Sequence, residues 1–259
     1  MYRDHFVTAI IPALNEQESI GLVLADLPDV IDEVIVCDNR SSDQTASVAR
    51  AAGARVVLEP MRGYGAACLK AAEAVSDNTD ALLFLDADYS DYPAEALALL
   101  DPIVSGEADF VIGSRALGAE SRLALPPAAR FGNRLATALI RVIWRVRFTD
   151  LGPFRAIRYA SYRALRMRDR NFGWTIEMQI RAAKLGLRIT ERPVSYRKRI
   201  GKSKISGTIM GSVKAGGKIL YLMLREALAS GIHRAPDGGS QRFRPERNRP
   251  GGSRTERSR

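Results

Sequence analysis

The chain has 259 residues, 46% hydrophobic and 26% charged, a composition typical of one large or two small globular domains. It contains only two cysteines and two histidines. A disulfide framework, a thiolate zinc site and a histidine-based catalytic triad are therefore disfavoured. We expect a cytoplasmic protein whose catalysis depends on carboxylates, a metal ion or backbone groups.

The formal net charge is +10, and much of the excess lies at the end of the chain. Residues 234–259 carry eight arginines against three acidic residues and have almost no apolar side chains, so we expect an Arg-rich disordered tail. A solubilising end is the simpler interpretation, and a weak tether to anionic membrane or nucleic acid is the alternative. We expect no nucleic-acid partner for the folded part.

Short apolar runs alternate with helical segments from residue 6 to residue 112, which predicts a mostly parallel sheet with helices on both faces. The predicted strands are 6–11, 34–37, 55–58, 81–85 and 110–112. The predicted helices are 16–26, with Asn15 as its N-cap, and then 43–52, 65–75 and 94–104. The fold class is α/β, and its ligands are expected at the carboxyl ends of the strands.

The regular alternation stops after Gly113. Residues 114–127 are predicted to form a loop, and 128–148 a helix with Leu135, Leu139, Val142 and Val146 on one side and arginines on the other. A second basic amphipathic helix is predicted at 207–229. Charged residues interrupt both helices, so neither is expected to cross a bilayer.

Acidic groups follow three of the predicted strands: Glu16 after the first, Asp38 after the second, and Asp86 and Asp88 after the fourth. Clustered carboxylates are costly unless a cation neutralises them, and alternate residues of an extended segment can face one site. Hard oxygen ligands favour Mg²⁺ or Mn²⁺ bound together with phosphate oxygens. Asp86 and Asp88 are therefore the predicted metal ligands, although a solvated turn would show the same pattern.

Arg62 and Gly65 lie between the third strand and the next helix. A glycine there permits close approach of a ligand to the helix N-terminus, which attracts phosphate, although a simple helix-entry turn is the alternative. The spacing matches neither a dinucleotide-binding fingerprint nor a P-loop, so those two enzyme classes are disfavoured.

Taken together, these residues resemble the inverting family-2 glycosyltransferases of the GT-A fold, in particular the branch related to polyprenyl-phosphate mannosyl- and glucosyltransferases. The resemblance covers about residues 6–230. It rests on the combination of P-A-x-N-E from Pro12, D-x-x-S-x-D-x-T from Asp38, the D-x-D at 86–88, G-S-R at 113–115 and R-x-G-x-S-K from Arg199. Many relatives carry a glutamine at the position of Ser90 and a second aspartate at the position of Asn39.

The resemblance implies a role for each matching residue. Pro12, Ala13, Asn15, Glu16, Asp38 and Asp86 are the nucleotide-binding residues that it implies. Arg62, Gly65 and Ala87 complete the expected nucleotide-binding set. Asp88 is the expected catalytic carboxylate beside the metal. Arg115, Arg199 and Lys204 are the expected acceptor or phosphate-binding residues.

The reaction implied is metal-dependent transfer of a hexose from UDP-glucose or GDP-mannose to a polyprenyl phosphate. A phosphate acceptor is already ionised and needs no general base. A hydroxyl acceptor would need one, and Glu177 is then the candidate. A sugar nucleotidyltransferase and a non-catalytic basic binding module are the alternatives from other classes.

The domain boundaries follow from the same reading. Residues 1–233 are expected to form the glycosyltransferase domain, with a nucleotide-binding part at 1–115 and an acceptor part at 116–233. The basic helices predict reversible contact with anionic membranes, peripherally on the cytoplasmic face.

Overall fold

The structure, a computed structural model, describes residues 1–118, 121, 127–201, 217 and 221–227. The strands are β1 (Val7–Ala13), β2 (Glu33–Asp38), β3 (Arg55–Leu58), β4 (Ala81–Phe84), β5 (Phe110–Ser114), β6 (Arg155–Arg158) and β7 (Ile189–Pro193). The helices are α1 (Ile20–Ala25), α2 (Thr45–Ala51), α3 (Tyr64–Ala72), α4 (Ala96–Val104), α5 (Pro127–Trp144), α6 (Tyr159–Leu165) and α7 (Trp174–Lys184). A 3₁₀ turn, Pro93–Glu95, precedes α4, and residues 221–227 are helical.

The seven strands form one sheet in the order β3-β2-β1-β4-β6-β5-β7. All neighbouring pairs are parallel except those of β6, which runs antiparallel to β4 and β5. The carboxyl ends of the other six strands therefore lie at one edge of the sheet. This is the edge at which the sequence predicted the site.

All five strands predicted from the sequence are present, but β6 and β7 were missed. β6 has arginines at both ends, and β7 is only partly buried and contains polar residues. Neither shows the continuous apolar run that marked the other strands. Tertiary pairing, rather than local hydrophobicity, makes these segments strands.

Successive residues of β1 point to opposite faces of the sheet and build two cores. Ile10 packs with residues of α3, α5, α6 and α7 on one face. Ile11 packs with residues of α1, α2 and α4 on the other. All seven residues of β1 are buried, as expected for the central strand of a sheet covered on both sides.

The prediction that Asn15 caps the first helix is wrong. α1 begins only at Ile20, and Asn15 adopts a left-handed conformation with a φ of 53°. Its side chain accepts a hydrogen bond of 2.8 Å from the backbone N–H of Ser42. Asn15 therefore joins the loops after β1 and β2, because two neighbouring strand ends bring those loops together.

α5 matches the predicted helix 128–148 but ends earlier. The face that it buries is not, as the sequence had indicated, the face that carries Leu135 and Val142. Leu135 and Val142 are exposed, whereas Ala136 and Ile140 face the core. No helix in the described part of the chain is long and apolar enough to cross a membrane. The predicted tail at 234–259, half of the loop at 114–127 and most of the helix at 207–229 lie outside the described residues.

Candidate active site

A cavity of about 430 Å³ opens at the carboxyl edge of β1, β2 and β4. Its walls come from the ends of these strands, from the start of α3 and from two later segments of the chain. The lining residues are Pro12, Ala13, Leu14, Glu16, Asn39, Arg62, Gly63, Tyr64, Ala67, Asp86, Ala87, Asp88, Asn171, Phe172 and Arg199. Eight residues predicted for the site are therefore brought together: Pro12, Ala13, Glu16, Arg62, Asp86, Ala87, Asp88 and Arg199.

Asp86 and Asp88 follow β4 and differ in how their charges are balanced. Asp88 Oδ1 accepts the backbone N–H of Ser90 at 2.9 Å, and its Oδ2 lies 3.1 Å from Arg199 Nη2. Asp86 Oδ1 is buried and forms no hydrogen bond of ordinary geometry with any described residue. Burial and the neighbouring charge of Asp88 raise the pKa of Asp86 to about 7.

Asp91 adds a third carboxylate behind these two. It is buried, and neither of its oxygens makes a hydrogen bond of ordinary geometry within the described residues. Burial and the charges of Asp86 and Asp88 raise its pKa well above the ordinary value. The strand end thus holds more carboxyl groups than the described residues stabilise in the charged form.

These residues fit a divalent cation that is shared with a ligand. No group of three or more His, Cys, Asp or Glu side chains within the described ranges is arranged to hold a metal by itself. Mg²⁺ characteristically takes one or two carboxylates and completes its shell with water and substrate phosphate oxygens. The unpartnered oxygen of Asp86 beside Asp88 meets that requirement.

Arg199 is carried into the cavity by a segment that packs along the loop after β4. The backbone N–H of Arg197 donates to Ser90 O at 2.9 Å, and that of Ile200 donates to Asp88 O at 3.0 Å. Arg199 Nη2 then lies 3.0 Å from Glu16 Oε1 as well as beside Asp88. Its Nε is buried without a hydrogen-bond partner among the described residues. Lys204, predicted to act with Arg199, lies outside the described residues.

Asn39, which sequence reasoning did not select, fixes the wall that carries Arg62. Its carboxamide donates to the backbone oxygens of Glu59 at 3.0 Å and Met61 at 2.7 Å, and it accepts the N–H of Gly63 at 2.8 Å. An aspartate could not donate these two bonds. Asn39 directly follows Asp38 at the end of β2, and this position is the feature of the sequence that could have indicated a role in the site.

Asn15, Asp38 and Gly65 do not line the cavity. Asp38 accepts the backbone N–H of Ser41 at 3.2 Å and so shapes the loop after β2. A Cβ atom on Gly65 would lie 2.1 Å from Asp169 O, and the N–H groups of Gly65 and Ala66 donate to backbone oxygens of residues 170 and 171. Gly65 therefore allows close approach of another segment of this chain. The sequence had suggested that a ligand phosphate would lie there.

Glu177 does not reach the cavity either. It is completely buried in α7, where Oε2 accepts the backbone N–H groups of Arg168 and Asp169 at 3.0 and 2.7 Å. Oε1 lies 2.9 Å from Arg181 and 3.5 Å from Arg225. With both oxygens occupied, Glu177 holds the segment that supplies Asn171 and Phe172 to the cavity, and its geometry is not that of a general base.

Arg115 is paired with a residue that the sequence did not indicate. Its Nε and Nη2 donate to the carboxylate of Asp150 at 2.7 and 2.9 Å, and its backbone N–H donates to the same group. Arg115 is absent from the cavity wall within the described residues. The guanidinium of Arg115 therefore makes its strong bidentate contact with Asp150.

The sheet order and the cavity at its carboxyl edge define a glycosyltransferase of the GT-A fold. The family model described as "Glycosyl transferase family 2" matches residues 8–166. The chain belongs to this family and is a glycosyltransferase, which confirms the resemblance found in the sequence.

Named relatives cover most of the chain. An uncharacterised glycosyltransferase of Mycobacterium tuberculosis is 38% identical over 210 residues, covering 81% of this chain and 94% of that protein. A dolichyl-phosphate hexose transferase of Haloferax volcanii is 32% identical, covering 86% and 96%. An undecaprenyl-phosphate mannosyltransferase of Micrococcus luteus is also 32% identical, covering 79% and 89%.

A solved structure shows the same architecture. Glucosyl-3-phosphoglycerate synthase of Mycobacterium tuberculosis, in complex with Mn²⁺, UDP-glucose and phosphoglyceric acid, superposes with a TM-score of 0.70 and 25% identity. The match covers 91% of this chain and 82% of that one.

Proposed function

We propose that this protein transfers a hexose, with inversion, from a nucleotide sugar to a polyprenyl phosphate. UDP-glucose is the first candidate donor and GDP-mannose the second. The observation that carries the proposal is the unpartnered, buried oxygen of Asp86 beside Asp88 in a cavity that Arg199 also enters. This combination suits a diphosphate accompanied by a divalent cation.

The donor is proposed to bind along the cavity wall. Pro12, Ala13, Asn39 and Arg62 surround the part that we assign to the nucleoside, and Asp86 and Asp88 would hold Mg²⁺ or Mn²⁺ with the diphosphate. The cation, when bound, would offset the negative charge that develops on the departing diphosphate. The solved structure with Mn²⁺ and UDP-glucose supports this arrangement.

The acceptor is proposed to be a phosphate because the described cavity offers no carboxylate suited to act as a base. Of its three acidic residues, Asp86 and Asp88 are assigned to the metal and Glu16 is bound to Arg199. An ionised phosphate oxygen can attack without giving up a proton. The two relatives named for prenyl-phosphate acceptors point the same way.

A hydroxyl acceptor with Glu177 as base is disfavoured, since Glu177 is buried away from the cavity. A prenyl-phosphate acceptor keeps its tail in the bilayer, so the enzyme is proposed to work peripherally at the cytoplasmic face of a membrane.

The test is a matrix of transfer reactions with UDP-glucose and GDP-mannose as donors, and undecaprenyl phosphate and undecaprenol as acceptors. We expect a glycolipid only from the phosphate, only with Mg²⁺ or Mn²⁺, and with inverted anomeric configuration. Asp88→Asn should abolish transfer and metal-dependent UDP binding, whereas the matched change Asp77→Asn, at an exposed position, should do neither. Transfer to undecaprenol alone would refute the phosphate acceptor.

A further inference from the structure

The outward face of α5 carries a row of exposed apolar side chains. Phe131 is 70% exposed, Leu135 44% and Val142 77%. Spacings of 4, 7 and 11 residues return to one face of an α-helix, so these three side chains point together. Ala136 and Ile140 pack into the core on the other side. The row is therefore separate from the face that α5 buries.

The charged side chains of α5 itself are all of one sign. Residues 127–148 contain five arginines and no acidic residue. Arg134 and Arg141 are both exposed, and on a helical projection they flank the row on one side. The apolar face of α5, defined as Phe131, Leu135 and Val142 with Arg134 and Arg141 beside them, combines apolar contact area with positive charge.

We propose that the apolar face of α5 docks onto an anionic lipid bilayer, with the three apolar side chains in the interfacial region and the arginines against lipid phosphates. A second copy of this chain is a poor partner, because a twofold interface would place the same arginines opposite one another. A nucleic acid would match the charge but leave the apolar row in water. The bilayer satisfies both.

The helix is fixed to the edge of the sheet where the cavity opens. Asn133, on α5, donates through Nδ2 to Thr149 O at 3.0 Å and accepts the N–H of Leu151 at 2.8 Å. Between those residues, Asp150 binds Arg115 at the end of β5. Docking of α5 would therefore set the orientation of the site relative to the membrane. The biological reason for docking rests on the proposed function, since a prenyl-phosphate acceptor is presented at a bilayer surface.

The test is co-sedimentation of the full chain with vesicles of phosphatidylcholine, with and without phosphatidylglycerol, at low and high salt. Phe131→Ser with Val142→Ser should lower partitioning onto the anionic vesicles by about tenfold or more. Its matched control is Leu58→Ser with Leu185→Ser, at positions 58% and 47% exposed on other parts of the surface, which should bind as wild type.

The electrostatic part is tested by Arg134→Gln with Arg141→Gln, which should weaken binding by about tenfold at low salt and less at high salt. Arg50→Gln with Arg163→Gln, also at exposed positions, is the charge-matched control. Circular dichroism would confirm that each variant is folded. If α5 variants and controls bind alike, the contact lies elsewhere and the proposal is wrong.

Two further readouts separate the competing outcomes. Light scattering gives the oligomeric state. If the wild type is a dimer and Phe131→Ser with Val142→Ser makes it a monomer, the face is a protein interface and the proposal is wrong. Transfer to a short-chain, water-soluble prenyl phosphate should be unchanged in the α5 variants. If the wild type transfers to no prenyl phosphate, the proposed function fails, whatever the vesicle result.

Discussion

Two aspartates at opposite edges of the sheet experience opposite electrostatic environments. Asp86 follows β4 at the carboxyl edge, and burial and Asp88 raise its pKa to about 7. Asp109 precedes β5 at the other edge, where Arg188 donates to it from Nε at 3.0 Å and Nη2 at 2.6 Å. Burial opposes the charged form there too, but these hydrogen bonds outweigh it and lower the pKa of Asp109.

The difference separates a carboxylate that maintains the fold from one that awaits a ligand. Asp109 is neutralised by its own chain, so its charge stabilises the structure. Asp86 and Asp91 are left with oxygens that no described residue satisfies, which costs stability and is tolerated where binding recovers it. Glu177 and Asp150 belong with Asp109, because arginines and backbone N–H groups satisfy them.

The largest effect expected within this comparison comes from Asp86→Asn. Removing the charge of Asp86, whose Oδ1 has no hydrogen bond of ordinary geometry among the described residues, should lower the transfer rate by about a hundredfold or more. The melting temperature in EDTA should stay the same or rise, because burial and the charge of Asp88 disfavour the carboxylate form of Asp86. Transfer assays and calorimetry measure the two. A normal rate together with a lower melting temperature would reverse our assignment of Asp86 and Asp109.

Asp109→Asn should do the opposite and lower the free energy of unfolding by about 2 kcal/mol, with the rate per folded molecule unchanged. Because the pKa of Asp109 is lowered in the folded state, its contribution is complete above the ordinary aspartate value of about 4 and is lost as the pH falls through the folded value. The difference in the free energy of unfolding between wild type and variant, measured with urea, should therefore become smaller below about pH 4. A difference that does not change with pH would contradict the assignment of this stability to the charge of Asp109.

Asn39→Asp tests the comparison by placing another poorly satisfied carboxylate beside the cavity. The carboxylate cannot donate to the oxygens of Glu59 and Met61, and the wall that carries Arg62 should loosen. We expect the KM for the nucleotide sugar to rise by about tenfold, with kcat changed by a smaller factor. Steady-state kinetics measure both constants, and an unchanged KM would remove Asn39 from the positioning of that wall.

Glu177→Gln should affect stability more than rate. If Glu177 only holds the segment 168–172 in place, the change should lower the melting temperature by a few degrees and leave kcat within about tenfold of the wild-type value. A general base would cost about 10²–10⁴ in kcat. Glu18→Gln, at an exposed position, is the matched control. A loss in the range expected of a base, in a folded variant, would reinstate the hydroxyl acceptor.

Local pattern identified most of the sheet and much of the cavity. The strands β1 to β5 are apolar runs of the right length, and acidic residues follow β1, β2 and β4 because ligand-facing loops begin there. The combination of motifs was specific enough to indicate the family, which the family model confirms. The apolar spacing of α5 also predicted a helix, although not which of its faces is buried.

The tertiary structure alone decided which charges are partnered. Asp86 and Asp109 both adjoin buried strands, and nothing local shows that Arg188 reaches only the second. Arg199 meets Glu16 across 183 positions of sequence, and Arg115 meets Asp150 across 35. Hydrophobic periodicity is a short-range property that each segment carries by itself, so the sequence determined the elements. The energy of a buried charge depends on atoms within a few ångströms in space, which only the packed sheet and its loops bring together.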